Sequence, residues 1–289
     1  MLVVWTTLLL TVLGAWEHDM ENIYFLAGLP RSGASLLTAI LNQNKNIYTS
    51  AESIIGDAMS VLDGLFSNSP VFVAFPKENQ KNNVISSVYK NYYSNINCKN
   101  IIDRDKSWCI EGRYQLITKY ISNSPKIICL YRPIIEILES YVGLFTENNS
   151  VGFVDYMMKM DEEHLDDPFN NRICHALMME YSPLSHQING IRYLYREHKK
   201  NVYFLNYNDL INDTDNRLSA MYKFLNIDYF NHDLDNIQKT ETEDDSVYGV
   251  KNLHRVFSVI KTNNSNKNIL SNEIYEQYGH MNFEDICNE

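Results

Sequence analysis

Six polar side chains of this 289-residue chain have the types and spacing to hold an anion and move a proton: Arg31, Ser35, Glu52, Lys106, Arg132 and Ser140. The first two belong to Gly28-Leu29-Pro30-Arg31-Ser32-Gly33-Ala34-Ser35-Leu36-Leu37, a turn of small residues between an apolar run (Ile23 to Leu26) and a helical pattern (Leu36, Leu37, Ile40, Leu41). A short buried strand, a tight turn and a helix N-terminus make a phosphate cradle, because the turn's backbone N–H groups point at one anion. Gly28 and Gly33 let the backbone come close to it. Arg31, Lys106 and Arg132 each fall within or just beyond a candidate strand, so three cations could line one crevice.

These side chains need a scaffold. Apolar β-rich runs at 23–27, 101–110, 126–132 and 202–205 alternate with helical patterns at about 34–43, 51–65, 83–96, 114–122, 134–144 and 218–225. Residues 66–82 read as a surface loop, Ser50 as the N-cap of the helix that follows it, and 150–200 as mostly helical. Strands alternating with helices predict an α/β fold with a central parallel sheet flanked by helices, a three-layer arrangement whose ligands sit at the carboxyl ends of the strands. No repeat or Pro/Gly-rich linker interrupts the chain, so residues 20–289 are expected to form a single domain.

Composition narrows the function classes. The net charge is −11, which excludes nucleic-acid binding by bulk electrostatics and requires a local basic pocket for any anionic ligand. The five Cys residues form no CxxC pair and no metal-ligand spacing, and their odd number fits a reducing compartment. Cys109 and Cys129, in apolar runs, read as small core residues. Residues 1–19 form an apolar segment, too short for a membrane span and without the positive start of a signal peptide. It reads as signal-like or as a mis-assigned start ahead of Met20. A cytoplasmic location is expected over a secretory one, with a membrane partner only if this segment is a real anchor.

The identity of the anion turns on one position. The Walker pattern G-x-x-x-x-G-K-[ST] places Lys after the second glycine; here Gly28, Gly33 and Ser35 fit, and Ala34 stands where the Lys belongs. That counts against a nucleotide kinase or hydrolase, which stays open as an alternative, as does a non-catalytic nucleotide-binding protein. The cation instead precedes the second glycine, in Pro30-Arg31-Ser32-Gly33. In this the chain resembles the sulfotransferases that use 3′-phosphoadenosine-5′-phosphosulfate (PAPS), whose first motif is P-[KR]-S-G-[TS]-[TS]. Ala34 departs from it and removes one hydroxyl, so backbone donors are expected to carry more of the contact. Leu130-Tyr131-Arg132-Pro133 with Ser140 resembles the family's second motif, and the spacing of eight residues would put Arg132 and Ser140 on one helical face about 12 Å apart along the axis.

The resemblance is nearest to tyrosylprotein sulfotransferases and similar microbial or viral members. It implies a P-loop-type fold, PAPS as donor, PAP as product and no metal. It also implies transfer of the sulfuryl group to a hydroxyl, or an amine, of an unidentified acceptor: a small molecule, a glycan or a peptidyl tyrosine. By that resemblance Glu52 is the general base, Lys106 in Asp105-Lys106-Ser107 contacts the transferring group, and Arg31 neutralises charge on the leaving phosphate. Ser32, Gly33, Ala34, Ser35 and Leu36 hold the 5′-phosphosulfate with Arg31, and Arg132 and Ser140 hold the 3′-phosphate. Tyr207, in a segment like the family's Y-E-D-L, is assigned to the cofactor site. So are Tyr248 and Lys251, near a segment like one that closes over the cofactor in microbial members.

Overall fold

The computed structural model describes residues 22–148, 164, 166–260 and 269–288. The apolar segment 1–19 and much of the first half of 150–200 lie outside these residues. Five strands form one sheet, β1 (Asn22–Gly28), β2 (Ile47–Thr49), β3 (Asn100–Arg104), β4 (Ile127–Tyr131) and β5 (Val202–Asn206), in the order β2-β3-β1-β4-β5. Every pairing is parallel. The chain leaves β1 toward β2 and β3, then crosses back to β4 and β5. The order therefore reverses beside β1, which opens a crevice at its carboxyl end.

Both faces of the sheet are covered, as the apolar runs predict. Along β1, Phe25 and Ala27 face one core and Tyr24 and Leu26 the other. The first core is roofed by α2 (Ile55–Asn68), α4 (Glu78–Tyr92), α5 (Glu111–Tyr120), α6 (Ile134–Asn148), α7 (Phe169–Met178) and α8 (Pro183–Glu197). The second is roofed by α1 (Ala34–Leu41) and α10 (Thr214–Leu225). The remaining helices are short: α3 (Pro70–Ala74), α9 (Tyr207–Asn212), α11 (Asn272–Tyr278) and α12 (Phe283–Asn288). Cys109 and Cys129 are buried free thiols, as expected of core residues.

Three local expectations change. Ser50 is not an N-cap: its hydroxyl accepts the Arg104 N–H at 2.9 Å, and α2 starts only at Ile55, whose N–H goes to Ser53 Oγ at 3.3 Å. The stretch 66–82 is not all loop, because Ser69 caps α3 with Pro70 at its first position, and α4 begins at Glu78. The strand near 101–110 ends at Arg104. There the Asp105 carboxylate accepts the Ser107 N–H at 2.8 Å and starts a 3₁₀ turn, Lys106–Cys109.

Candidate active site

The turn between β1 and α1 is built by backbone constraints. Gly28 has φ +122°, and a Cβ there would lie 2.0 Å from the Leu130 carbonyl oxygen of β4. Gly33 has φ +86°, and its Cβ would lie 2.6 Å from the Tyr207 ring. Neither position takes a side chain without moving the sheet or Tyr207. Arg31 adopts φ +58°, uncommon for a residue with a Cβ. No side chain caps α1, and the N–H groups of Ala34, Ser35 and Leu36 fall in its first turn, where a helix leaves donors without intrahelical partners. This is the strand–turn–helix geometry that the spacing of the two glycines predicts.

A cavity of about 280 Å³ opens above the turn, and Arg31, Arg104, Lys106 and Arg132 all contribute to its wall. It has two poles. At the first, Arg31 Nε–H donates to Ser140 Oγ at 3.0 Å, and its Nη1 donates to the Leu253 carbonyl. Arg132 Nε–H donates to Glu136 at 2.8 Å, Arg132 Nη1–H donates to the Arg31 carbonyl at 3.2 Å, and the guanidinium lies 4.5 Å from the centre of the Tyr207 ring. Asn208 holds the other Glu136 oxygen at 3.0 Å. Burial pulls the Arg31 guanidinium below its ordinary value, Tyr141 and Tyr207 oppose that, and the nearby Arg132 charge adds to it. In turn, burial pushes the Tyr141 hydroxyl up to about 12.

The second pole is organised by Arg104, at the carboxyl end of β3. Its side chain is 2% exposed. Its Nη2–H donates to Ser35 Oγ at 3.2 Å and lies 3.4 Å from Glu52 Oε2, while Nε and Nη1 have no partner among the described residues. Lys106 reaches the same Glu52 oxygen at 3.2 Å. Burial pulls the Arg104 guanidinium below its ordinary value, and Glu52 partly restores it. A buried guanidinium with two unused donors is costly unless an anion completes it. On the opposite face of β3, Asp103 is fully buried and accepts the Tyr89 hydroxyl at 2.9 Å; burial pushes its carboxyl up to about 6.

The residues singled out from the sequence thus divide. Arg31, Gly33, Ala34, Ser35, Leu36, Lys106, Arg132, Ser140 and Tyr207 line the cavity. Ser32 is buried in the turn, with its hydroxyl turned toward the Pro30 carbonyl at 3.4 Å. Glu52 stands at the Arg104 pole, 35% exposed. Tyr248 and Lys251 do not line the cavity: Tyr248 is exposed and meets His254 edge-on, and the Lys251 backbone pairs with the Asn148 side chain. That segment enters the site further on, through Leu253, His254 and Arg255.

Arg132 and Ser140 do not share a helical face, because α6 starts at Ile134 and leaves Arg132 outside it. Arg31 is the cation that touches Ser140, so the two motifs meet through its side chain. Arg104 was overlooked in the sequence. Its signal was a cation closing a β-rich run in Ile101-Ile102-Asp103-Arg104, hidden inside the mixed charges Asp-Arg-Asp-Lys.

The family model for the sulfotransferase domain matches residues 22–286, nearly all of the described chain. The chain belongs to the sulfotransferase family. Solved structures similar to this sulfotransferase include the sulfotransferase domain of the Synechococcus PCC 7002 olefin synthase, 16% identical over 93% of this chain and 94% of that one, with a TM-score of 0.51. The sulfotransferase from Alicyclobacillus acidocaldarius is 15% identical over 78% and 87%, with a TM-score of 0.46. At that identity the likeness to the olefin synthase domain speaks to the fold, an α/β arrangement of the P-loop kind. Comparison with curated proteins returns no match. Among the described residues, no helix is long and apolar enough to cross a membrane.

Proposed function

We infer that this sulfotransferase moves the sulfuryl group of PAPS to a hydroxyl acceptor. The observation that carries the reading is Arg104: a buried cation with two unused donors, in the wall of a cavity that Arg31, Lys106, Arg132 and Arg255 also line, in a chain of net charge −11. Such a pocket suits a ligand with anionic groups at both ends, which a 3′-phosphate and a 5′-phosphosulfate provide.

In this reading Arg132, Arg31 and Ser140 take the 3′-phosphate. The α1 N-terminus, through the backbone of Gly33, Ala34, Ser35 and Leu36, takes the 5′-phosphate. Arg104 and Lys106 face the transferring end. The assignment moves Arg31 from the leaving phosphate toward the 3′-phosphate, since its guanidinium is spent on Ser140 and Leu253.

The reaction breaks the bond between sulfur and the bridging oxygen of the 5′-phosphate and forms one between sulfur and the acceptor oxygen. The electron pair of the broken bond stays on the leaving phosphate, where Arg104 and Lys106 offset the charge. The acceptor's proton passes to Glu52, a carboxyl group that both cations orient. Positioning and charge stabilisation do the rest, as in phosphoryl transfer. The test is transfer of ³⁵S from labelled PAPS into a panel of phenols, glycans and tyrosine peptides, beside calorimetry with PAP. Stoichiometric PAP binding with labelled product supports the reading; absence of PAP binding overturns it.

A further inference from the structure

Away from the cavity, the turn leading into α7 brings together His164, Asp167 and His175. Asp167 Oδ2 lies 2.9 Å from His164 Nδ1 and 3.4 Å from His175 Nε2, and the three atoms fall within 4.8 Å of one another. His175 is buried on α7, and its Nδ1 lies 3.2 Å from the Tyr278 hydroxyl of α11. None of these groups has a part in the proposed transfer, and α7 packs on the far side of the cavity wall, against α6.

We propose that His164, Asp167 and His175 form a structural divalent-metal site suited to Zn²⁺. Two imidazole nitrogens and one carboxylate oxygen are donors that zinc takes. Four donors at about 2.0–2.1 Å from a tetrahedral zinc lie about 3.3 Å apart, close to the two separations seen here. The Tyr278 contact supplies the outer partner that a ligating imidazole requires: with the proton on Nδ1 toward Tyr278, the Nε2 lone pair faces the carboxylate. The two rings are stacked, 3.8 Å apart and 8° from parallel, so ligation requires them to splay until their lone pairs converge. His164, 27% exposed, is the ring with room to turn. Binding displaces the proton shared by His164 Nδ1 and Asp167. It ties the turn before α7 to α7 itself, and so braces the helix that lies against α6.

The second grouping of this kind, Glu243, Asp245 and His254, is engaged otherwise. Lys239 pairs with Glu243, and Asp245 accepts both the backbone and ring N–H of His254. It serves as the control. The experiment is metal analysis and Zn²⁺ calorimetry on the full chain, with Co²⁺ absorption to read tetrahedral coordination. The expected result is one metal per chain, release of about one proton on binding, and a fall in Tm when a chelator removes it. Asp167→Asn and His164→Ala, both at partly exposed positions, lose the metal. Tyr278→Phe weakens it about 10- to 100-fold, and Asp245→Asn retains it. A chain that takes up no stoichiometric Zn²⁺, or whose Zn²⁺ is unaffected by Asp167→Asn and His164→Ala, overturns the proposal. Neither outcome bears on PAP binding or sulfuryl transfer.

Discussion

The two poles of the cavity are both cationic, yet they are built in opposite ways. At the Arg132 pole every guanidinium is already engaged: Arg31 with Ser140 and Leu253, Arg132 with Glu136, the Arg31 carbonyl and the Tyr207 face. At the Arg104 pole a more deeply buried guanidinium keeps two donors unused, beside a partly exposed Lys106 and Glu52. The first pole is a preorganised clamp, fixed before a ligand arrives, and suits a group that only has to be recognised. The second keeps donors unused and so suits a group whose charge grows during reaction, the condition under which electrostatic catalysis is strongest.

This contrast can be broken by substitution. The largest effect is expected from Glu52→Gln, which removes the proposed proton acceptor with little change in shape: turnover falls about 10²–10⁴-fold while PAPS affinity, read by calorimetry, holds. Unchanged turnover would remove Glu52 from the role. Arg104→Met follows, with turnover down about 10²–10³-fold and PAP affinity falling far less. Equal losses in both would mean that the Arg104 pole also serves as a clamp. Arg132→Ala acts in the reverse sense. Loss of charge-assisted hydrogen bonds worth about 1.5–3 kcal/mol weakens PAPS roughly 10- to 100-fold, and turnover at saturation stays close to wild type.

The smallest effect concerns Asp103, the buried neighbour of Arg104 in β3. Asp103 has its folded pKa raised from 3.8 to about 6, chiefly by burial, so the folded state holds its proton over a range where the unfolded chain has released it. Stability from this group is full below about 4 and is lost as pH rises toward about 6. Urea denaturation from pH 4 to 7 should show this slope in the wild type and a flatter one in Asp103→Asn. Identical slopes would mean that Asp103 titrates as it does in the unfolded chain.

The Arg132 pole was legible in the sequence because its parts are local motifs: two glycines at fixed spacing, an Arg between them, and a strand that ends in Arg-Pro. The sheet was legible for the same reason, as β1, β4 and β5 are mostly apolar runs and β3 carries Ile101-Ile102. β2 was missed, being three residues of mixed polarity, Ile47–Thr49. Arg104 was missed because a sequence does not show burial. Asp103, Arg104, Asp105 and Lys106 resemble a solvated charge cluster, and only the fold reveals that the first two are almost wholly enclosed. The Arg31–Ser140 contact was out of reach for a further reason: it joins residues 109 apart and depends on a left-handed Arg31, which no local pattern specifies.

The central claim is that one pole reads the 3′-phosphate and the other faces the sulfuryl end. It is tested most directly by calorimetry of PAP and adenosine 5′-phosphosulfate against the wild type, Arg132→Ala and Arg104→Met. PAP has the 3′-phosphate without the sulfuryl group, and adenosine 5′-phosphosulfate the reverse. The account predicts that Arg132→Ala weakens PAP and spares adenosine 5′-phosphosulfate, whereas Arg104→Met, at the 5′ end that both ligands carry, weakens the two alike. If Arg132→Ala also weakens both ligands equally, the division of the cavity into two poles is wrong.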